Sequence, residues 1–164
     1  AASDVYKRQN RCFDEIEYLN VDILGMKGKS RVITVPADIQ KLWNDVRVIL
    51  RNPVIARYEL KEDIQLGKKA GITALCEYSL LSDNEYPTYA ITKKEITESG
   101  IRKMKQVHSG EEIGCVVLEL GYFIDFKNKK LEDPLSVTLS LTESEKQDER
   151  IGISIKRMLE EYVW

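Results

Sequence analysis

Histidine, cysteine and proline are scarce, with one, three and four in 164 residues, and each scarcity closes a route to function. The lone histidine, His108, leaves a serine or cysteine triad a single side chain to serve as base. It stands beside Ser109-Gly110 with no nucleophile motif nearby, so we read it as a surface residue in a turn. Cys12, Cys76 and Cys115 lie far apart and lack the paired spacing of a zinc site. An odd number of cysteines in a chain expected to be cytoplasmic reads as reduced thiols, with Cys76 and Cys115 packed among apolar neighbours. A redox sensor would need an exposed thiolate held by positive charge. Long hydrophobic runs are absent too: Ile113–Leu118 is about a third of the roughly 20 residues that span a bilayer, so no membrane contact is expected. Nor is there an excess of positive charge. Lys plus Arg is 25 against 27 acids, a net charge of -2, so nucleic-acid contact requires a local basic patch. The glycines form neither a phosphate-binding loop nor a dinucleotide fingerprint, and no cofactor or metal is expected.

What is present is an ordinary globular composition, 43% hydrophobic and 32% charged, in a chain long enough to bury a core unaided. Residues 1–9 stand apart. Asp4-Val5-Tyr6-Lys7-Arg8-Gln9 reads as the translated transposase end used in sequencing libraries, and a scar of that kind carries no fold information. Without an initiator Met, the natural chain is expected to begin further upstream.

Apolar spacing divides the remainder into residues 10–52 and 53–164. In the first part, Cys12, Phe13, Ile16 and Leu19 recur at helical spacing, as at the end of an amphipathic helix. Val21–Met26 and Arg31–Val35 flank Lys27-Gly28-Lys29-Ser30, which predicts a hairpin. Ile39, Leu42, Trp43, Val46, Ile49 and Leu50 mark one face of a helix that Pro53 ends. In the second part, strands are expected at Val54–Leu60, Tyr86–Ile91, Lys103–Val107 and Ile113–Leu120. A buried helix is expected over Ile72–Leu81, after a loop at Gly67–Gly71, and a helical turn at Lys93–Glu98. Asp133-Pro134 is a helix start, an N-cap acceptor followed by proline at the first helical position. Thr142 and Glu145 have capping-box spacing and open a last helix through Ile151, Ile155, Met158, Leu159 and Tyr162. The fold class is therefore α+β.

Four stretches resemble bacterial winged-helix transcriptional regulators of the MarR-like kind: Phe13–Val35, Ala37–Leu50 with Lys41-Leu42-Trp43, Ala70–Ser79 with Tyr86–Ile91 behind it, and Asp133–Leu141. The layout is similar to antitoxins of abortive-infection type IV toxin–antitoxin systems, in which a DNA-binding module precedes an α/β domain. The resemblance implies that residues 10–52 are a partial winged helix-turn-helix, a helix, hairpin wing and helix, with most of the helix-turn-helix, including the start of the recognition helix, upstream of Asn10. It further implies a non-enzymatic repressor, with double-stranded DNA, a cognate toxin and a second copy of the chain as partners. The alternative is a module that neutralises a protein partner without touching DNA.

Lys27, Lys29 and Arg31 occupy alternate positions around Gly28, so on an extended ribbon they would converge on one phosphate strand or line a minor groove. Arg11, opposite Phe13 and Ile16, is a further candidate DNA contact, although Asp14, Glu15 and Glu17 crowd that end with negative charge. Among enzymes, only a metal-dependent nuclease has any residues to point to: Glu59-Leu60-Lys61 at a strand end, with Asp45 upstream. Asp45 falls within a predicted helix, which argues against it. The run Lys127-Asn128-Lys129-Lys130 reads as a solvated loop.

Overall fold

A computed structural model describes residues 22–27, 30–34, 38–82, 84–124 and 126–164. The chain divides into two compact units, Ala1–Arg51 and Asn52–Trp164.

In the first unit, β1 (Asp22–Lys27) and β2 (Ser30–Thr34) form an antiparallel hairpin with Lys27 paired to Ser30. Register shifts between Ile23 and Gly25, so one residue bulges from the ladder. Helix α1 (Ile39–Val46) follows, and the Asp38 carboxylate caps it by accepting the Gln40 N–H at 3.0 Å. Trp43 and Val46 are its buried positions. The helix stops a turn short of the expected Leu50, and a turn follows in which the Val46 carbonyl accepts the N–H groups of Ile49 and Leu50 at 2.9 and 3.1 Å.

The second unit is an α+β fold on a four-stranded mixed sheet, ordered β3 (Val54–Leu60), β6 (Cys115–Leu120), β5 (Thr88–Thr92), β4 (Lys68–Lys69). β3 and β4 pair antiparallel with their neighbours, whereas β5 and β6 are parallel. A parallel pair needs a crossover, and α3 (Lys93–Ser99) with the 3-10 turn Ile101–Lys103 supplies it. Side chains alternate across the sheet. One face gathers Leu60, Tyr89, Ile91, Cys115 and Val117 with Ile96 and Ile101 from the crossover. The other gathers Ala70, Ala90, Val116, Leu118 and Leu120. Helices α2 (Gly71–Tyr78), α4 (Pro134–Ser140) and α6 (Glu149–Tyr162) pack on one another, and α2 also packs on β5.

Three expectations are corrected. Lys103–Val107 is not a strand: Gly100, in the left-handed region, ends α3 and turns the chain into the 3-10 turn, which leaves only Gln106 bridged to Leu60. The last helix is two helices, α5 (Glu143–Gln147) and α6, because Asp148 is extended and its carboxylate caps α6 at the Arg150 N–H. The supposed loop at Gly67–Gly71 contains β4. Among the described residues no helix is long and apolar enough to cross a membrane.

Candidate functional site

Of the five residues expected to contact DNA, Arg11, Gly28 and Lys29 lie outside the described residues. Lys27 and Arg31 are placed by backbone alone. Lys27 pairs with Ser30 and Arg31 with Met26. Paired positions share a face of the pleat, so positions 27 and 31 belong to opposite faces. The alternation of an uninterrupted strand does not carry through the tip, where only two residues separate the paired Lys27 and Ser30.

The second unit brings together cations that lie far apart in the sequence. Its edge strand β4 consists of Lys68 and Lys69, and Leu131 bridges Lys69 in parallel. The Lys69 N–H donates to the Lys130 carbonyl and the Glu132 N–H to the Lys69 carbonyl, both at 2.9 Å. The side chain of Asn128 accepts the Lys130 N–H at 3.0 Å and shapes the approach. Lys129 and Lys130 thereby stand beside Lys68 and Lys69 along a groove of about 780 Å³, which Phe123, Tyr89, Ala90, Thr92 and Glu95 also line.

Local chemistry fixes the walls of this groove. The Lys68 ammonium sits 5.0 Å from the centroid of the Phe123 ring, a cation–π contact. Lys69 forms an ion pair with Glu77. The Tyr89 hydroxyl donates to Asp63 at 2.9 Å, and burial with that carboxylate pushes its pKa up to about 12. Gly67, at φ +83°, lies flat on β5: a Cβ there would sit 2.5 Å from the Ala90 carbonyl oxygen. Gln65, which also lines the groove, holds a left-handed φ of +46°.

Behind the groove lies Glu132, 1% exposed. Its carboxyl accepts the Gly71 N–H at 3.1 Å and meets the Ser140 hydroxyl at 2.5 Å. That hydroxyl also lies 2.6 Å from the Ser136 carbonyl. A hydroxyl carries one proton and cannot satisfy two acceptors. The network balances when Glu132 is protonated and donates to Ser140, which then donates to Ser136. The pKa agrees: burial raises it to about 7, against the opposing pull of the Ser140 and Gly71 hydrogen bonds.

The nuclease candidates fall in both units, and each is described within its own. Glu59 is paired with Arg57 at 3.3 Å, Lys61 with Glu111 at 2.7 Å, and Asp45 is exposed on α1 in the other unit. Among the described residues no group of three or more His, Cys, Asp or Glu gathers as a metal ion requires. His108 is exposed in its turn, and its N–H donates to Glu111 at 2.8 Å. Cys12 lies outside the described residues, Cys76 is half-buried, and burial raises the thiol pKa of Cys115.

The groove was missed in the sequence because its two lysine pairs are some 60 positions apart and each reads alone as solvated surface. The only local signal was two adjacent doublets, Lys68-Lys69 and Lys129-Lys130. Comparison of the chain with protein-family models, with curated proteins and with solved structures finds no match.

Proposed function

We propose that the chain is part of a DNA-binding regulatory protein that acts without catalysis. The observation that carries this reading is the β1–β2 hairpin. It is short and its lysine-rich tip has only two residues between paired strands; a capped helix follows, in a unit separate from the α/β unit. Such a ribbon enters a DNA groove more readily than a broad sheet does. With positions 27 and 31 on opposite faces, its cations suit a groove walled by phosphates on both sides better than a single strand. Bound protein would repress by occluding polymerase, in keeping with the winged-helix resemblance, and a cognate toxin or a second copy would engage the protein elsewhere.

The test is a salt series of affinity for duplex DNA with the whole chain. Lys27→Ala and Lys29→Ala should each reduce the magnitude of the salt slope by about one unit. A slope unchanged by both substitutions, or the absence of salt-dependent binding, overturns the reading in favour of a module that neutralises a protein partner without DNA.

A further inference from the structure

The α/β unit carries a basic groove that the hairpin does not need. We propose that it binds a phosphorylated small molecule of about nucleotide size, with its phosphates held by Lys68 and Lys130. Three features favour this ligand class. The volume of about 780 Å³ lies within the roughly 300–1,000 Å³ of small-molecule sites. It is small beside the surface that a duplex covers.

The charge is one-sided. Four lysines line the groove against a single acid, Glu95, whose carboxylate is occupied by the backbone N–H and hydroxyl of Thr92 at 2.7 and 2.9 Å. Lys69 is matched by Glu77, whereas Lys68 rests on the Phe123 ring. An aromatic neighbour positions an ammonium without cancelling its charge, which leaves Lys68 suited to a phosphate.

The wall is also mixed. Phe123, half-buried, supplies apolar surface beside the lysines. A nucleotide offers the same combination, a planar ring joined to a polyanion. The walls are fixed by backbone, through the Lys69–Lys130 ladder and the seat of Gly67 on β5, so little ordering is needed on binding.

The proposal stands apart from the DNA-binding reading, and one experiment separates the two. The whole chain is titrated calorimetrically with pyrophosphate, a nucleoside diphosphate, the parent nucleoside and a short thymidine oligonucleotide. Pyrophosphate and the diphosphate should bind, the diphosphate more tightly, and the nucleoside should not. Lys68→Gln with Lys130→Gln should weaken diphosphate binding at least about tenfold, since two charge-assisted contacts are lost. Lys68→Arg with Lys130→Arg should retain it, and Lys27→Ala with Lys29→Ala should leave it unchanged whatever happens to DNA affinity. Circular dichroism melts confirm that each variant is folded, and the Arg pair reports on the site should the Gln pair not fold. Failure of both phosphate probes to bind at millimolar concentration overturns the proposal. So does wild-type affinity in the folded Gln variant, or lysine-dependent binding of the oligonucleotide alone.

Discussion

The Glu132 carboxyl accepts the backbone N–H of Gly71 at 3.1 Å across 61 residues of sequence, and so ties the start of α2 to the approach to α4. Lys69 lies two residues before Gly71 and Lys130 two before Glu132, so this buried contact braces both lysine pairs of the groove. The Glu132 carbonyl adds a second tie, accepting the Tyr78 hydroxyl at 2.8 Å.

A pH dependence follows from that tie. The Glu132 pKa is raised on folding from 4.5 to about 7, so between those values the folded state holds a proton that the unfolded state has released. A raised folded pKa contributes stability that is complete below the unfolded value and is lost as pH climbs through the folded one. Stability should therefore decline between about pH 4.5 and 7, by on the order of 3 kcal/mol from this group. Urea denaturation of the wild type and Glu132→Gln across that range checks it. The amide keeps the acceptor for Gly71 and the donor for Ser140, so the variant should lose this component of the decline. Glu132→Ala should instead cost about 2–4 kcal/mol below about pH 4.5 by stranding both partners, and the penalty should shrink toward about pH 7 as the wild type loses its own contribution.

Gly67 and Gly100 offer a second, paired test. Both hold a positive φ, +83° and +72°. A Cβ at Gly100 meets nothing within 4 Å, whereas one at Gly67 runs into Ile91 Cγ2 and the Ala90 carbonyl oxygen. Gly100→Ala should cost only the left-handed backbone, about 1 kcal/mol. Gly67→Ala should cost about 2 kcal/mol more by lifting the loop off β5, and it should weaken the groove's ligand in proportion. Thermal melts of the two variants give the difference directly, and equal losses would show that the close approach does not matter.

The features legible in the sequence are those settled within a few residues. The Thr142–Glu145 capping box forms as its spacing predicts, with hydrogen bonds of 2.8 and 3.2 Å. Asp133 caps α4 from in front of Pro134. Ile55 broke the alternation expected of Val54–Leu60, and it is 62% exposed on the face that its parity dictates. Long-range pairing was not legible. Nothing local shows that β5 and β6 run parallel, or that a two-residue strand at Lys68-Lys69 gains its partners from Ala90 on one side and Leu131 on the other. Lys103–Val107 has the composition of a strand, but burial of Ile101 fixes that segment before it can extend. The groove is a product of the same long-range pairing, so lysines that sequence alone assigns to solvent form a shared wall.

A third prediction concerns Glu119, which is 3% exposed within the sheet. Its carboxylate accepts the Tyr58 hydroxyl at 3.2 Å and faces the Arg102 guanidinium at 3.8 Å. Arg102 also donates to the Tyr58 oxygen at 3.4 Å, so the three side chains close a ring. Tyr58→Phe should cost about 1 kcal/mol, the worth of one hydrogen bond to a charged group. Arg102→Ala should cost about 0.5–1 kcal/mol, since half of that side chain is in water and its charge is screened. Together they should cost more than the sum by about 0.5 kcal/mol or more, because each alone leaves Glu119 one partner and both leave it none. If the penalty is an uncompensated buried charge, Glu119→Leu in the double variant should recover most of the loss. Chemical denaturation of the four variants decides it: additive losses with no recovery would mean that the carboxylate finds water in the absence of Tyr58 and Arg102, and that the ring is surface decoration rather than part of the core.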